Sequence, residues 1–266
     1  MPAAEKQISI DTVKAYWDAR PCNIRHSTLA LGSREYFDEV EARKYRVEPH
    51  IPAFAQFDRW RGKRVLEVGC GLGTDTINFA RAGASVTAVD VSTESLALAR
   101  KRAEVFGLQD RINFLHADAE RLSEAIAPER YDLVYSFGVI HHTPQPARAA
   151  AEISKFMGPG SELRLMVYAK NSWKNFMIEA GFDQPEAQSG CPVAFTYTHD
   201  EVRQDLLRGF EVTSMKQDHI FAFVIEKYIR YEYEIVPWFA AMPREMFRAL
   251  EQNLGWHTLV VAKLKS

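Results

Sequence analysis

The fold of this chain is decided by the stretch VLEVGCGLGTDT, residues 65–76. An apolar run, residues 65–68, leads into three alternate glycines, and a segment with helical spacing, residues 74–81, follows. Glycine lets the backbone turn tightly and lets a ligand approach it closely, because glycine has no Cβ. The stretch therefore predicts a strand, a turn that a ligand can approach, and a helix.

Four more short apolar runs follow, and segments with helical spacing separate them. The runs cover residues 85–89, 112–115, 133–137 and 163–167. Such alternation is typical of βαβ units in a parallel sheet. One intervening helix has Ser92 as its candidate N-cap and Gly107 as its candidate C-cap. We expect an α/β fold built on a doubly wound, Rossmann-like, mostly parallel sheet of seven strands.

The chain divides into three predicted segments around this sheet. Residues 1–62 contain two predicted helices, 9–19 and 33–46, and should form an N-terminal helical cover. Residues 63–168 should form the ligand-binding Rossmann-like core. Residues 169–266 add the strand-like runs 210–214 and 257–263, with an aromatic-rich segment, 221–256, between them. Long insertions in compact domains are usually functional, so we expect this one to cap the substrate site.

Two acidic residues follow the second and third predicted strands. Asp90 lies twenty-one residues after Gly69, where an α/β nucleotide fold places a carboxylate for ribose hydroxyls, and Asp118 ends the next strand. A dinucleotide site is the main alternative. Two residues argue against a dinucleotide site. Thr74 occupies the position where G-x-G-x-x-G requires glycine, and the charge of Glu67 would repel a pyrophosphate. An adenosine with a cationic tail fits these residues better.

With these motifs, residues 67–168 resemble the class I S-adenosylmethionine (SAM) dependent methyltransferases. The similarity is to the small-molecule branch that includes the ubiquinone and menaquinone C-methyltransferases. The resemblance implies SAM as the cofactor, with the glycine turn at its methionine and ribose ends, Asp90 at the ribose hydroxyls, and Asp118 with the Ala119 backbone at the adenine. The cofactor-binding residues that it implies are Glu67, Gly69, Cys70, Gly71, Gly73, Asp90, Val91, Asp118, Ala119, Ser136 and Phe137.

The segment YDLVYSFGVIHHTPQP, residues 131–146, resembles the strand and loop that pass under the methyl donor in this family. It lacks the N/D-P-P-Y/F quartet of enzymes that methylate amide or exocyclic amino nitrogens. His141 and His142 are the candidate general bases, because histidine titrates near neutral pH. The alternative is that both only pack or hydrogen-bond beside the donor. We expect no metal site there, since adjacent residues on an extended segment point apart.

Aromatic and basic residues outside the core suggest where an acceptor would bind. Tyr197, Tyr231 and Tyr233 are candidate substrate-binding residues, because they fall in the segments where the family places its acceptor pocket. Arg43 or Lys44 could pair with the carboxylate of the donor. The alternative for Arg43 and Lys44 is a solvated amphipathic helix supported by charge pairs four residues apart. The alternative for the tyrosines is ordinary packing in the core.

The composition is that of an ordinary globular protein. The 266 residues include 33 basic and 35 acidic side chains, for a net charge of −2, which makes nucleic-acid binding unexpected. Three scattered cysteines, Cys22, Cys70 and Cys191, indicate neither a disulfide framework nor a zinc site. The first residues contain no signal-peptide pattern, and no apolar run is long enough to span a membrane. We expect a cytoplasmic monomer or homodimer.

The sequence therefore favours a SAM-dependent methyltransferase that acts on a small organic acceptor at a carbon, oxygen or nitrogen atom and releases S-adenosylhomocysteine. One alternative is a methyltransferase that acts on a protein or an RNA. Another is a protein that binds SAM without catalysis. A nicotinamide oxidoreductase is disfavoured by Glu67 and by the missing glycine.

Overall fold

A computed structural model describes residues 8–183 and 190–265. The outer predicted segments, 1–62 and 169–266, include residues 1–7, 184–189 and 266, which lie outside the described residues. The division into three segments remains a prediction. Within the described ranges the strands, in chain order, are β1 Arg64–Val68, β2 Ser85–Asp90, β3 Ile112–His116, β4 Leu133–Phe137, β5 Glu162–Ala169, β6 Thr196–Tyr197, β7 Phe210–Asp218 and β8 His257–Leu264.

The strands form one sheet in the order β3-β2-β1-β4-β5-β8-β7, with β6 paired to β5 off this path. The pairs among β1 to β5 are parallel, β6 is parallel to β5, and β8 is antiparallel to both β5 and β7. This confirms the predicted mostly parallel sheet. Seven strands lie on the continuous path as predicted, and β6, with two residues, is an additional strand too short to show periodicity in sequence.

The α-helices lie between and beyond these strands. They are α1 Ile10–Ala19, α2 Arg34–Val47, α3 Ile51–Ala55, α4 Thr74–Arg81, α5 Thr93–Val105, α6 Leu122–Ala125, α7 Pro146–Ser154, α8 Trp173–Glu179, α9 His199–Glu201, α10 Ile225–Tyr228, α11 Pro237–Ala240 and α12 Arg244–Leu254. Serine side chains cap the N-termini of four of them, including α1, α2 and α5. The side chains of Ser9, Ser33 and Ser92 accept hydrogen bonds from the backbone N–H groups of Thr12, Tyr36 and Ser95, which fixes where α1, α2 and α5 start.

The N-terminal cover is attached to the glycine turn by a small apolar cluster. Tyr36, Phe37 and Val40 of α2 are buried against Leu72. Beneath this cluster, Arg102 of α5 is fully buried; its Nη1 donates to Thr74 Oγ1 at 2.7 Å, and its Nη2 pairs with Glu41 of α2 at 2.7 Å. Apolar packing and a buried ion pair therefore tie α2, α4 and α5 together around one turn.

The aromatic insertion predicted at residues 221–256 lies between β7 and β8 and contains α10, α11 and α12. Phe221, Phe223, Tyr228 and Tyr233 contact one another through their rings, with centroids 5.0 to 6.2 Å apart. Rings in such contact hold an irregular segment in shape without long helices. In the part of the chain that the structure describes, no helix is both long and apolar enough to cross a membrane.

Candidate functional site

The strand order reverses between β1 and β4, and a cavity of about 250 Å³ lies at their carboxyl ends. Open α/β sheets bind ligands at this switch point. We call it the central cavity. Its walls come from the glycine turn, the ends of β2 and β4, helix α1, and β5 with β8; the lining includes Ile10, Val13, Trp17, Lys44, Glu48, Gly69, Cys70, Gly71, Asp90, Val91, Ala117, Ala119, Phe137, Gly138, Val139, His142, Met166, Tyr168 and His257.

The glycine turn has the conformation that only glycine adopts easily. Gly69, Gly71 and Gly73 have φ angles of +81°, +52° and +71°. A Cβ on Gly69 would lie 2.2 Å from the Val139 side chain, and one on Gly73 would lie 3.1 Å from Ala99. A Cβ on Gly71 would meet no atom within 4 Å. Gly69 and Gly73 are therefore required by packing, whereas Gly71 keeps space open on the cavity wall.

Asp90 ends β2 on the same wall. Its Oδ2 accepts a hydrogen bond from the Gly71 backbone N–H at 2.8 Å, and its Oδ1 accepts one from the Ser92 N–H at 2.8 Å. Burial raises the pKa of Asp90, while these two hydrogen bonds oppose the shift. A carboxylate can accept about four hydrogen bonds. The group is thus fixed in position and still has acceptor capacity for a ligand.

Asp118, the other predicted acid, accepts a hydrogen bond from the backbone of its own turn. Asp118 Oδ1 accepts from the Glu120 N–H at 2.9 Å and caps a short 3-10 helix. Ala117 and Ala119 on either side line the cavity, whereas Asp118 is absent from its described lining. The structure therefore places the Asp118 carboxylate where it shapes the apolar wall formed by its neighbours.

Glu67 lies in a buried polar cluster just behind the cavity wall. It accepts a hydrogen bond from Thr76 Oγ1. Burial, followed by the nearby charges of Asp75 and Asp90, raises the pKa of Glu67 to about 8 against the opposing effects of Thr76 and Lys44. Glu67 is therefore mostly protonated at neutral pH, and it is not part of the described cavity lining.

Lys44 of α2 connects this cluster to the cavity. Its Nζ donates to Asp75 Oδ1 at 2.9 Å, and the hydroxyls of Tyr45 and Tyr135 each donate to Asp75 at 2.9 Å. Burial lowers the pKa of Lys44, but Asp75 and Glu48 more than offset this, so the net pKa is raised. Asp75 and Glu48 thus favour the charged form of Lys44 on the cavity wall, whereas Arg43, the other predicted basic residue, contacts the late insertion.

The segment after β4 contributes Phe137 and His142 to the cavity. His142 Nδ1 donates to the Val193 carbonyl at 2.6 Å, so the neutral ring carries its proton on Nδ1 and its lone pair on Nε2. Its ring centroid lies 5.5 Å from that of Trp17 in α1. Ser136 is fully buried, and its Oγ has no hydrogen-bond partner among the described residues.

His141 is fully buried behind His142 and outside the described cavity lining. Its ring centroid lies 4.0 Å from that of Tyr168, and neither ring nitrogen has a hydrogen-bond partner within residues 8–183 and 190–265. Burial, followed by His142, lowers the pKa of His141 well below its ordinary value. The two adjacent candidate bases therefore have different surroundings, and only His142 reaches the cavity.

His257, on the opposite wall, was not expected at this site from the sequence. His257 begins β8 and lines the cavity; its Nδ1 and His50 Nε2 share a hydrogen bond at 3.0 Å, and its Nε2 lies 3.8 Å from Glu48 Oε1. Burial lowers the pKa of His50 to about 4 and that of His257 well below its usual range. Burial therefore favours the neutral form of both rings. Across the described residues, no group of three or more His, Cys, Asp and Glu side chains is arranged to hold a metal.

The three predicted acceptor tyrosines lie apart from the described cavity lining. Tyr231 and Tyr233 contact the guanidinium of Arg43, whose carbon lies 4.2 and 5.7 Å from their ring centroids. Arg43 Nη2 also donates to the Tyr228 carbonyl at 2.6 Å. Tyr197 lies in β6 and packs against the main apolar core. Tyr231 and Tyr233 thus attach the late insertion to the N-terminal cover.

Comparison with known proteins shows which proteins this chain is similar to. Residues 65–160 match a family model described as a methyltransferase domain. A ubiquinone biosynthesis O-methyltransferase of Psychrobacter cryohalolentis is 36% identical over 110 residues, which are 41% of this chain and 42% of that protein. The corresponding enzyme of Klebsiella pneumoniae is 28% identical over 165 residues, which are 60% of this chain and 64% of that protein. The chain thus spans less than two thirds of the length of these curated relatives.

Solved structures share the fold along most of the chain. The magnesium protoporphyrin IX methyltransferase of Synechocystis PCC 6803 has a TM-score of 0.60 at 18% identity, covering 97% of this chain and all of that one. The [4+2]-cyclase SpnF has a TM-score of 0.58 at 18% identity, covering 97% of each chain. Together these comparisons confirm the resemblance to class I SAM-dependent methyltransferases. The two curated relatives described above are named O-methyltransferases, and the sequence had left the methylated atom open.

Proposed function

We propose that the chain transfers the methyl group of SAM to a small organic acceptor, and that the central cavity holds the SAM. The observation that carries this proposal is the joint placement of Gly71 and Asp90. Gly71 lets a ligand come close to the backbone at this wall. Asp90 is held in place by the Gly71 and Ser92 N–H groups and offers hydrogen-bond acceptors to ribose hydroxyls. Both groups lie at the switch point where open α/β sheets bind nucleotides.

The rest of the cavity fits the other parts of the same ligand. Ala117, Ala119 and Val91 provide an apolar wall beside Asp90, which suits an adenine ring. Lys44 provides a positive charge for a carboxylate. We assign contact with the donor to Gly69, Cys70, Gly71, Asp90, Val91, Ala119 and Phe137. We assign Glu67, Gly73, Asp118 and Ser136 to positioning, because they lie outside the described lining.

SAM supplies an already activated methyl group on a sulfonium sulfur, so the protein mainly has to align the acceptor and exclude water. Trp17 and Val13 of α1 line the cavity on the N-terminal side. Ser92 Oγ donates to the Trp17 carbonyl at 3.4 Å and holds α1 against the core. A concave cavity of this size suits a small acceptor better than a protein or an RNA.

An acceptor hydroxyl must lose its proton, and His142 on the wall is the candidate to take it. Its Nδ1 donates to the Val193 carbonyl, which leaves Nε2 as the nitrogen that can act as a base. We propose His142 as the base. His257 is held by His50 beside Glu48, and its lowered pKa makes it a weaker proton acceptor. The names of the curated relatives, O-methyltransferases of ubiquinone biosynthesis, also favour an oxygen acceptor.

Native mass spectrometry of the purified chain tests the donor first. We expect the chain to carry SAM or S-adenosylhomocysteine, or to bind either one when it is added. Incubation with methyl-labelled SAM and a library of phenols, amines and carbon acids should then release S-adenosylhomocysteine only with some acceptors. Failure to bind either adenosine ligand would refute the proposal, and binding without turnover on any acceptor would favour a non-catalytic SAM-binding protein.

A further inference from the structure

A second cavity, of about 350 Å³, lies between α8, the late insertion and the start of β8. We call it the outer cavity. Apolar side chains form most of its lining, and seven of them are aromatic: Trp173, Phe182, Phe221, Phe223, Trp238, Phe239 and Trp256. Such rings bind other planar apolar groups by stacking and edge contacts. Nothing in the proposed function so far makes use of this cavity.

The charges around the outer cavity do not favour an ionic ligand. Lys174 and Asp183 both line it and lie within ion-pair distance of each other, at 3.4 Å. Burial, followed by His50 and Lys174, lowers the pKa of His219 to about 3, so this lining ring is neutral. Glu226 also lines it but is exposed to solvent. Burying a charge against apolar rings is costly. The cavity therefore suits an uncharged group.

The mouth of the outer cavity exposes apolar surface. Trp238 is 64% exposed, and Ile225 is 49% exposed. Both line the cavity. Large apolar side chains that remain exposed around a concave site are typical of a surface that a ligand covers. The mouth thus has the character of an entrance for an apolar molecule.

The two cavities share a wall made of two ring pairs. Tyr168 lines the central cavity and stacks on Trp256, which lines the outer one, with centroids 4.2 Å apart. His257 lines the central cavity and lies against His219, which lines the outer one, at 4.6 Å. A molecule in the outer cavity would therefore lie two rings away from a ligand in the central cavity.

The shared wall connects the outer cavity to the proposed reaction. Tyr168 and His257 belong to this wall and line the central cavity. Methyl transfer requires the acceptor atom to lie against the donor methyl group, so an acceptor seated in the outer cavity has to extend past the ring pairs to reach the donor. Building on the proposed function, we infer that the outer cavity binds the uncharged aromatic part of the acceptor, whose reactive atom lies at the Tyr168–His257 edge.

Binding of N-phenyl-1-naphthylamine, an uncharged two-ring fluorescent probe, tests this inference without knowledge of the acceptor. Trp173, Trp238 and Trp256 line the outer cavity, so bound probe should quench tryptophan emission by energy transfer. We expect saturable binding to the whole chain. Saturating S-adenosylhomocysteine should leave the probe affinity within about twofold if the two sites are separate.

Two variants locate the probe. Trp238→Ala removes a mostly exposed lining ring, so the fold should survive, and probe affinity should fall about tenfold. Val224→Phe should also weaken binding because it fills the cavity. Ile229→Ala is the matched control: Ile229 is 66% exposed in the same insertion and is not part of the described lining of either cavity. The control should bind the probe like the unmodified chain.

The outcomes separate this inference from the proposed function. Displacement of the probe by S-adenosylhomocysteine would place it in the central cavity and overturn the inference. Unchanged probe affinity in both Trp238→Ala and Val224→Phe would also overturn it, provided that thermal melting shows both variants to be folded. The absence of saturable probe binding to the unmodified chain would overturn it as well. Calorimetry with S-adenosylhomocysteine on the same samples reports the donor site. Failure there, with the probe result intact, would overturn the proposed function and leave an apolar ligand site.

Discussion

Gly71→Ala is the substitution that separates ligand binding from folding most cleanly. The new methyl group would project into open space on the wall of the central cavity, since no atom lies within 4 Å of it. The Gly71 N–H would still donate to Asp90. We therefore expect the fold to persist while the space needed by the donor is filled.

The expected magnitudes differ for stability and for binding. At φ +52° an alanine costs about 1–2 kcal/mol of backbone strain, which lowers the melting temperature by a few degrees, at about 2–4 °C per kcal/mol. A methyl group that overpacks a bound ligand costs about 1–3 kcal/mol more, a loss of affinity of roughly 5- to 150-fold. Gly69→Ala is the matched contrast, because its Cβ would lie 2.2 Å from Val139 and should destabilise the fold itself.

Thermal melting and calorimetric titration with S-adenosylhomocysteine measure the two effects separately. We expect Gly71→Ala to melt within a few degrees of the unmodified chain and to bind weakly. Gly69→Ala should melt lower than Gly71→Ala, and adding Val139→Ala should recover part of that loss. A well-folded Gly71→Ala chain with full affinity for S-adenosylhomocysteine would refute the placement of the ligand against this turn.

Three further predictions follow from the same site. Asp90→Asn, which keeps the shape of the side chain, should weaken S-adenosylhomocysteine binding about tenfold by calorimetry; unchanged affinity would remove Asp90 from the ligand contacts. Burial raises the pKa of Glu67 from 4.5 to about 8, so the folded chain retains a proton that the unfolded chain releases. The free energy of unfolding should then fall between these pH values by up to about 1.4 kcal/mol per pH unit, and urea titrations should show no such contribution in Glu67→Gln; the same pH slope in both chains would contradict the assignment. His141→Phe should keep S-adenosylhomocysteine affinity and melt at the same or a higher temperature, because it removes two buried nitrogens that have no hydrogen-bond partner among the described residues; a large loss of turnover in that stable variant would show that His141 takes part in catalysis.

The features that could be predicted from the sequence are those that local physics determines. The apolar runs became β1 to β5 within one or two residues of the predicted ends, and Ser92 caps α5 as expected. The glycine turn and Asp90 were identifiable because strand, turn and acid follow one another along the chain, and parallel strands bring their carboxyl ends to the same edge.

The features that could not be predicted depend on contacts between distant segments. His257 reaches the central cavity because β8 pairs antiparallel to β5, which sets it opposite Tyr168. Lys44 donates to Asp75, which lies 31 positions further along the chain, and Arg43 contacts tyrosines that lie nearly two hundred residues away in sequence. Single-chain periodicity contains no information on such pairings. The closest sequence signal for His257 was its position at the start of a predicted strand.

A crystal structure of the chain with S-adenosylhomocysteine tests the central claim most directly. We expect the ribose hydroxyls within hydrogen-bond distance of the Asp90 carboxylate and the ligand in contact with Gly71, with adenine beside Ala119. Electron density for the ligand at any other location, or a central cavity filled by the chain's own side chains after soaking at saturating ligand, would contradict it.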